Sequence, residues 1–246
     1  MTSKEAAVYR LKQLKGKPLK AKVEHLFAYY RGPLLGVLIA LLLCIYLLFH
    51  FATHKDEVLH VVCLNSFAEA EDTDLFCREF AQAAGIDLEK ETVYLNTSLI
   101  VSDATPGETY EAIQSLSAQA AAGTVDVLLA DLDALGIFLY GDYFRDLTQV
   151  LTPEQQTRLQ EHMLYIDLVY LEAKLSGAEV PTPYPDPTKP EDMEQPVPVA
   201  LLLPQENGFR QLNYGSLKTP IALGFVVNSD HTQNALAFLD YIFPEA

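Results

Sequence analysis

The sequence predicts an α/β domain, a mostly parallel sheet flanked by helices, preceded by one transmembrane helix. Three observations carry this. Short β-branched runs alternate with segments of helical periodicity, one long stretch carries no charge, and that stretch divides a basic head from an acidic body. The chain has 246 residues, half of them apolar and 20% charged, which excludes a wholly disordered polymer and allows one or two modest domains. Three cysteines are too few for a disulfide scaffold. A net charge of −16 argues against nucleic acid as a partner, because a polyanion would be repelled by the whole molecule.

The charge is unevenly placed. Residues 1–33 hold eight Lys/Arg and two Asp/Glu, whereas the remainder holds nine against thirty-one. Between these poles, residues 34–49 read LLGVLIALLLCIYLLF without a charge. Extended to 32–52 the run is long enough to cross a bilayer, roughly 31 Å of helix. Tyr29, Tyr30 and Arg31 precede it as interfacial anchors, and His50 and His54 follow it. A cleaved signal peptide fits poorly, because the leader is too long and no small-x-small site follows. The Lys/Arg excess predicts residues 1–31 as a cytoplasmic basic segment beside anionic lipid, 32–52 as the span, 53–57 as a linker and 58–246 outside the cell membrane. The lipid bilayer is thus the first expected partner.

Within 58–246 each element has its own signal. Residues 58–64 (VLHVVCL) form a β-branched strand ending at Asn65-Ser66. Asp72-Thr73-Asp74 opens a helix closed by Gly85. Residues 92–95 predict a second strand, with 99–101 pairing to it through an Asn-Thr-Ser turn. Thr105-Pro106 starts a helix that Gly123 stops, and 125–130 (VDVLLA) form a third strand leading to Asp131-Leu132-Asp133. A helix or turn covers 133–140, and 141–147 read as a loop. Thr152-Pro153-Glu154 is a strong helix start. Seven prolines and five acids between 176 and 198 predict an extended, solvated connection. Residues 197–203 resume the sheet, 220–228 form a strand and 231–242 a terminal helix. This alternation implies a largely parallel sheet covered on both faces.

Three segments resemble bacterial extracellular solute-binding proteins of the periplasmic-binding class: 121–131 (AAGTVDVLLAD), 141–148 (GDYFRDLT), and 221–242 with Val-Asn-Ser before its helix. With the Tyr-Tyr-Arg before the span, the chain is similar to membrane-anchored members from Gram-positive bacteria. The resemblance implies a reduced, single-lobe version, since a second lobe has no counterpart beyond one helix and the Pro-rich stretch. It implies a binding module, not an enzyme, presenting a small-molecule solute to a membrane partner such as a transporter. The alternative is a ligand-free structural or regulatory interaction subunit of a membrane complex.

No motif assigns a reaction, cofactor or metal. The glycines are isolated, Ser216 lacks the second Gly of a nucleophile elbow, and His50 and His54 sit where interfacial anchoring explains them. Cys63 and Cys77 either meet as a disulfide or stay as packed thiols. Ligands of open α/β sheets settle at the carboxyl ends of strands. The candidate binding residues are therefore Asn65 and Ser66, Asp131 and Asp133, and Asn228 and Ser229, each of which also reads as a helix cap or turn former.

Overall fold

The computed structural model describes residues 18–66, 68–102, 104–204 and 220–243, without the side chains at 19, 21–31, 34 and 51–53. The chain divides into two units, Met1–His54 and Lys55–Ala246.

Among its described residues the first unit is one helix, α1 (Leu19–Thr53), of 35 residues. Its described side chains from 35 to 50 are all exposed, with Leu, Val and Ile on every side. Tyr46 stacks on His50 at 6.2 Å, and His50 lies 5.8 Å from His54, so the three share one stripe. Among the described residues no helix is long and apolar enough to cross a membrane. The unbroken described block, 35–50, spans about 24 Å, against about 30 Å of hydrocarbon. The expected span 32–52 also takes in Leu34 and residues 51–52, whose side chains lie outside the described residues. So does most of the basic segment 1–31, and so does Ser216.

The second unit is a three-layer α/β sandwich. Its strands are β1 (Asp56–Cys63), β2 (Glu91–Asn96), β3 (Val127–Asp131), β4 (Met163–Asp167), β5 (Pro196–Leu202) and β6 (Ile221–Phe225). Its helices are α2 (Ala70–Ala84), α3 (Pro106–Ala121), α4 (Leu132–Leu139), α5 (Leu147–Val150), α6 (Pro153–Leu159), α7 (Leu168–Leu175) and α8 (Thr232–Ile242). The six strands form one sheet in the order β2-β1-β3-β6-β5-β4. β1, β2, β3 and β5 point one way, β4 and β6 the other. The parallel expectation holds for the β2-β1-β3 half, whereas the three pairings beyond β3 are antiparallel. A helix between β1 and β2, and another between β2 and β3, allow the parallel crossovers.

Alternation along the strands sends side chains to two cores. Leu59, Val61, Val127, Leu129 and Leu223 face α2 and α8 through Phe76, Phe80, Phe238 and Leu239. Val62, Leu64, Leu128, Ala130 and Ala222 face α3, α4 and α7 through Leu116, Leu135, Phe138 and Leu171. Phe76 and Phe80 meet Phe238 edge-on at 6.2 and 5.4 Å, the arrangement ring quadrupoles favour. Gly85 ends α2 at φ +72°, the left-handed conformation that suits glycine. Thr152 and Gln155 form a full capping box at the start of α6.

One sequence expectation is overturned and two gain detail. Residues 99–101 do not pair with β2; they lie against Asn65, which takes Leu99 O and Val101 N. The loop 141–147 is pinned to the end of β6, with Phe144 bridging Val226 and packing over Gly224. The Pro-rich segment 176–198 is docked as well as extended. Tyr165 N donates to Pro187 O at 2.8 Å along the outer edge of β4, and Tyr184 packs on Tyr140 at 5.4 Å. Asp167 accepts the backbone N–H groups of Glu194 and Gln195 at 3.0 and 3.1 Å. Proline fixes φ and removes donors, and here the strap meets the sheet through carbonyls, rings and one carboxylate.

Candidate functional site

β1 and β3 run parallel as neighbours, so their carboxyl ends open on the same edge of the sheet. From β1 the chain crosses to β2 on one side, and from β2 it returns past β1 to β3 on the other. The order reverses between β1 and β3, which makes a topological switch point there.

Asn65 follows β1 at φ +58°, a conformation asparagine tolerates because its short amide bonds locally. Its N–H donates to Leu99 O at 3.0 Å, and its Oδ1 accepts from Val101 N at 2.7 Å. Its Nδ2 donates to Asp131 Oδ2 at 3.2 Å. Asp131 is 5% exposed and caps α4, its Oδ1 accepting from Ala134 N at 2.8 Å. One amide and one carboxylate therefore tie two strand ends, a loop and a helix start together. Ser66 is buried beside them, accepting from Ala68 N at 3.4 Å and bonding the Cys63 thiol. Asp133, in the first turn of α4, is exposed.

The structure thus gathers Asn65, Ser66, Asp131 and Asp133 at one edge. Asn228 and Ser229 lie at the opposite edge, because β6 is antiparallel to β3 and its carboxyl end sits beside the start of β3. Asn228, at φ +63°, donates to Ala120 O at 3.4 Å, and Ser229 Oγ donates to Asp126 Oδ1 at 2.5 Å.

Sequence reasoning missed the group around Asp126, which is 1% exposed. Besides Ser229 it accepts His60 N at 2.7 Å and faces His231 Nδ1 at 3.2 Å. Ser, His and Asp thus meet, but not as a nucleophilic relay. The serine hydroxyl points at the carboxylate, whereas a triad needs it on the far nitrogen of the imidazole. The group fastens the start of α8 to β3. A second missed acid, Asp167, caps α7 through Val169 N at 3.1 Å while holding the strap. The only local signal for either was a lone acid within an apolar run.

Cys63 and Cys77 are both free thiols. Burial pushes Cys63 up to about 12, partly opposed by Ser66. Cys77 rises to about 11 through burial and the nearby Asp74 charge, opposed by the Leu95 N–H. Both therefore stay protonated and unreactive at neutral pH. Among the described residues no group of three or more His, Cys, Asp or Glu can hold a metal.

No family model matches the chain, and no curated protein does. Among solved structures it is similar to an ABC substrate-binding protein from Listeria monocytogenes in complex with cycloalternan, at 14% identity and a TM-score of 0.28. The match covers 52% of this chain and 35% of that one, about a third of the other protein's length. At that TM-score neither a residue role nor a ligand carries across.

Proposed function

We propose that the chain is a membrane-anchored binding module whose α/β domain, outside the cell membrane, takes a small solute at the switch-point edge and presents it to a membrane partner such as a transporter. The observation that carries this reading is the placement of Asn65, Ser66, Asp131 and Asp133 astride the reversal between β1 and β3. Open α/β sheets bind ligands at such reversals, because the diverging connections leave a crevice there. Asp131 and Asn65 are the braced floor of this edge, and Asp133 is the exposed carboxylate that meets the solute. Anchoring is supported by the uncharged run and by the exposed apolar side chains around α1, which water does not favour.

Thermal-shift titration of the full chain in detergent with amino acids, peptides and sugars tests the reading. A ligand that binds only the native state raises its melting temperature. Asp133→Asn weakens the response by about tenfold, the loss of one charge-assisted contact, while Ser229→Ala leaves affinity unchanged. No response to any solute, with a membrane protein co-purifying instead, favours a ligand-free interaction subunit. That second reading draws on Asp131, both of whose oxygens accept bonds from within the domain.

A further inference from the structure

The two edges of the sheet are treated differently. At β4 the strap runs alongside and takes the Tyr165 N–H on Pro187 O. At β2 no described segment pairs with the outer side of the strand. The Leu95 N–H donates to the Cys77 sulfur, a weak acceptor. Open edges are usually protected by lysine, proline, a bulge in the edge strand or an inward-pointing charge. β2 reads Glu-Thr-Val-Tyr-Leu-Asn, with its one charge at the first position. Val93 and Leu95 are buried beneath α2, while Tyr94, 48% exposed, stands on the other face with its ring against His60 at 4.9 Å.

We propose that β2 is a self-association edge, pairing antiparallel with β2 of a second copy so that two six-stranded sheets join into one. Self-pairing is favoured by the strand's own charge distribution. Centred on Tyr94, it sets Val93 against Leu95 and Thr92 against Asn96, keeps each core face continuous with its own kind, and leaves the two Glu91 side chains at opposite ends. Within the paired strands no two like charges, which would oppose pairing, stand opposite each other. The Leu95 N–H exchanges a sulfur for a carbonyl. The two Tyr94 residues face each other across the twofold axis as a non-hydrogen-bonded pair, with Cα atoms about 4.5 Å apart.

Light scattering on the full chain in detergent is expected to give a protein mass twice 27.4 kDa. Tyr94→Lys places two ammonium groups across the axis and halves that mass, with the circular dichroism unchanged because the side chain is half outside. In a Cys44→Ala background, Tyr94→Cys crosslinks between copies on mild oxidation, whereas Tyr110→Cys, more exposed but on α3, does not. A wild-type monomer at micromolar concentration, a dimer that Tyr94→Lys leaves intact, or no Tyr94→Cys crosslink each overturns the proposal.

Discussion

Asp131 shows how one buried carboxylate organises several elements. One oxygen caps α4 and the other holds the Asn65 amide, which in turn orders 99–101. Asp131→Ala removes a cap worth about 1 kcal/mol and one hydrogen bond to the Asn65 amide worth about 0.5–1.5 kcal/mol. Urea unfolding is expected to show a loss of about 2 kcal/mol. Asp133→Asn, on an exposed side chain, changes the same measurement by less than about 0.5 kcal/mol. The two thiols make a second residue-scale prediction. Cys63 is raised from the ordinary 9.0 to about 12, so above pH 9 the unfolded chain releases its proton while the folded chain keeps it. The unfolded state then binds fewer protons, and stability falls as pH rises from about 9 toward 12. Melts across that range are expected to decline steadily, and Cys63→Ala to flatten part of the slope, with Cys77 and the burial-raised hydroxyls of Tyr140 and Tyr241 supplying the remainder.

At the scale of elements, the strap is the part whose behaviour composition alone misjudges. Its prolines and acids describe a solvated connection, yet Asp167 and Tyr140 give it fixed points on the domain. Asp167→Ala leaves three N–H groups without their acceptor. Limited proteolysis is expected to cut within 176–198 much faster in this variant than in the wild type, while the remaining fragments stay associated.

The same contrast explains what was legible. β1, α2, β2, α3 and β3 could be read because Gly85, Gly123 and Pro106 punctuate them and β-branched residues fill the strands. β4 and α7 could not: residues 163–175 read MLYIDLVYLEAKL, a strand turning into a helix at Asp167 with neither Gly nor Pro between. The candidate site was half legible for a related reason. A polar residue at a strand end is visible in sequence, but the direction in which that strand enters the sheet is set by tertiary pairing. Asn65 and Asp131 therefore meet at one edge, while antiparallel β6 carries Asn228 and Ser229 to the far edge.

The whole molecule joins a basic head, an apolar helix and an acidic domain. On the proposed topology, the head stays where membrane potential and anionic lipid hold lysine and arginine. Protease added outside intact cells is expected to digest residues 58–246 and spare an N-terminal tag. Loss of the tag with the domain protected would reverse the orientation, and release of the chain by alkaline carbonate would remove the anchor altogether.

The position of β6 bears on how such a chain is made. Among the described strands it comes last in chain order, yet it lies between β3 and β5 in the middle of the sheet. Until residue 225 has left the ribosome, two half-sheets wait with facing edges unsatisfied. A nascent chain stalled shortly before that point is therefore a substrate for chaperones and quality-control proteases, whereas one stalled just after it can close.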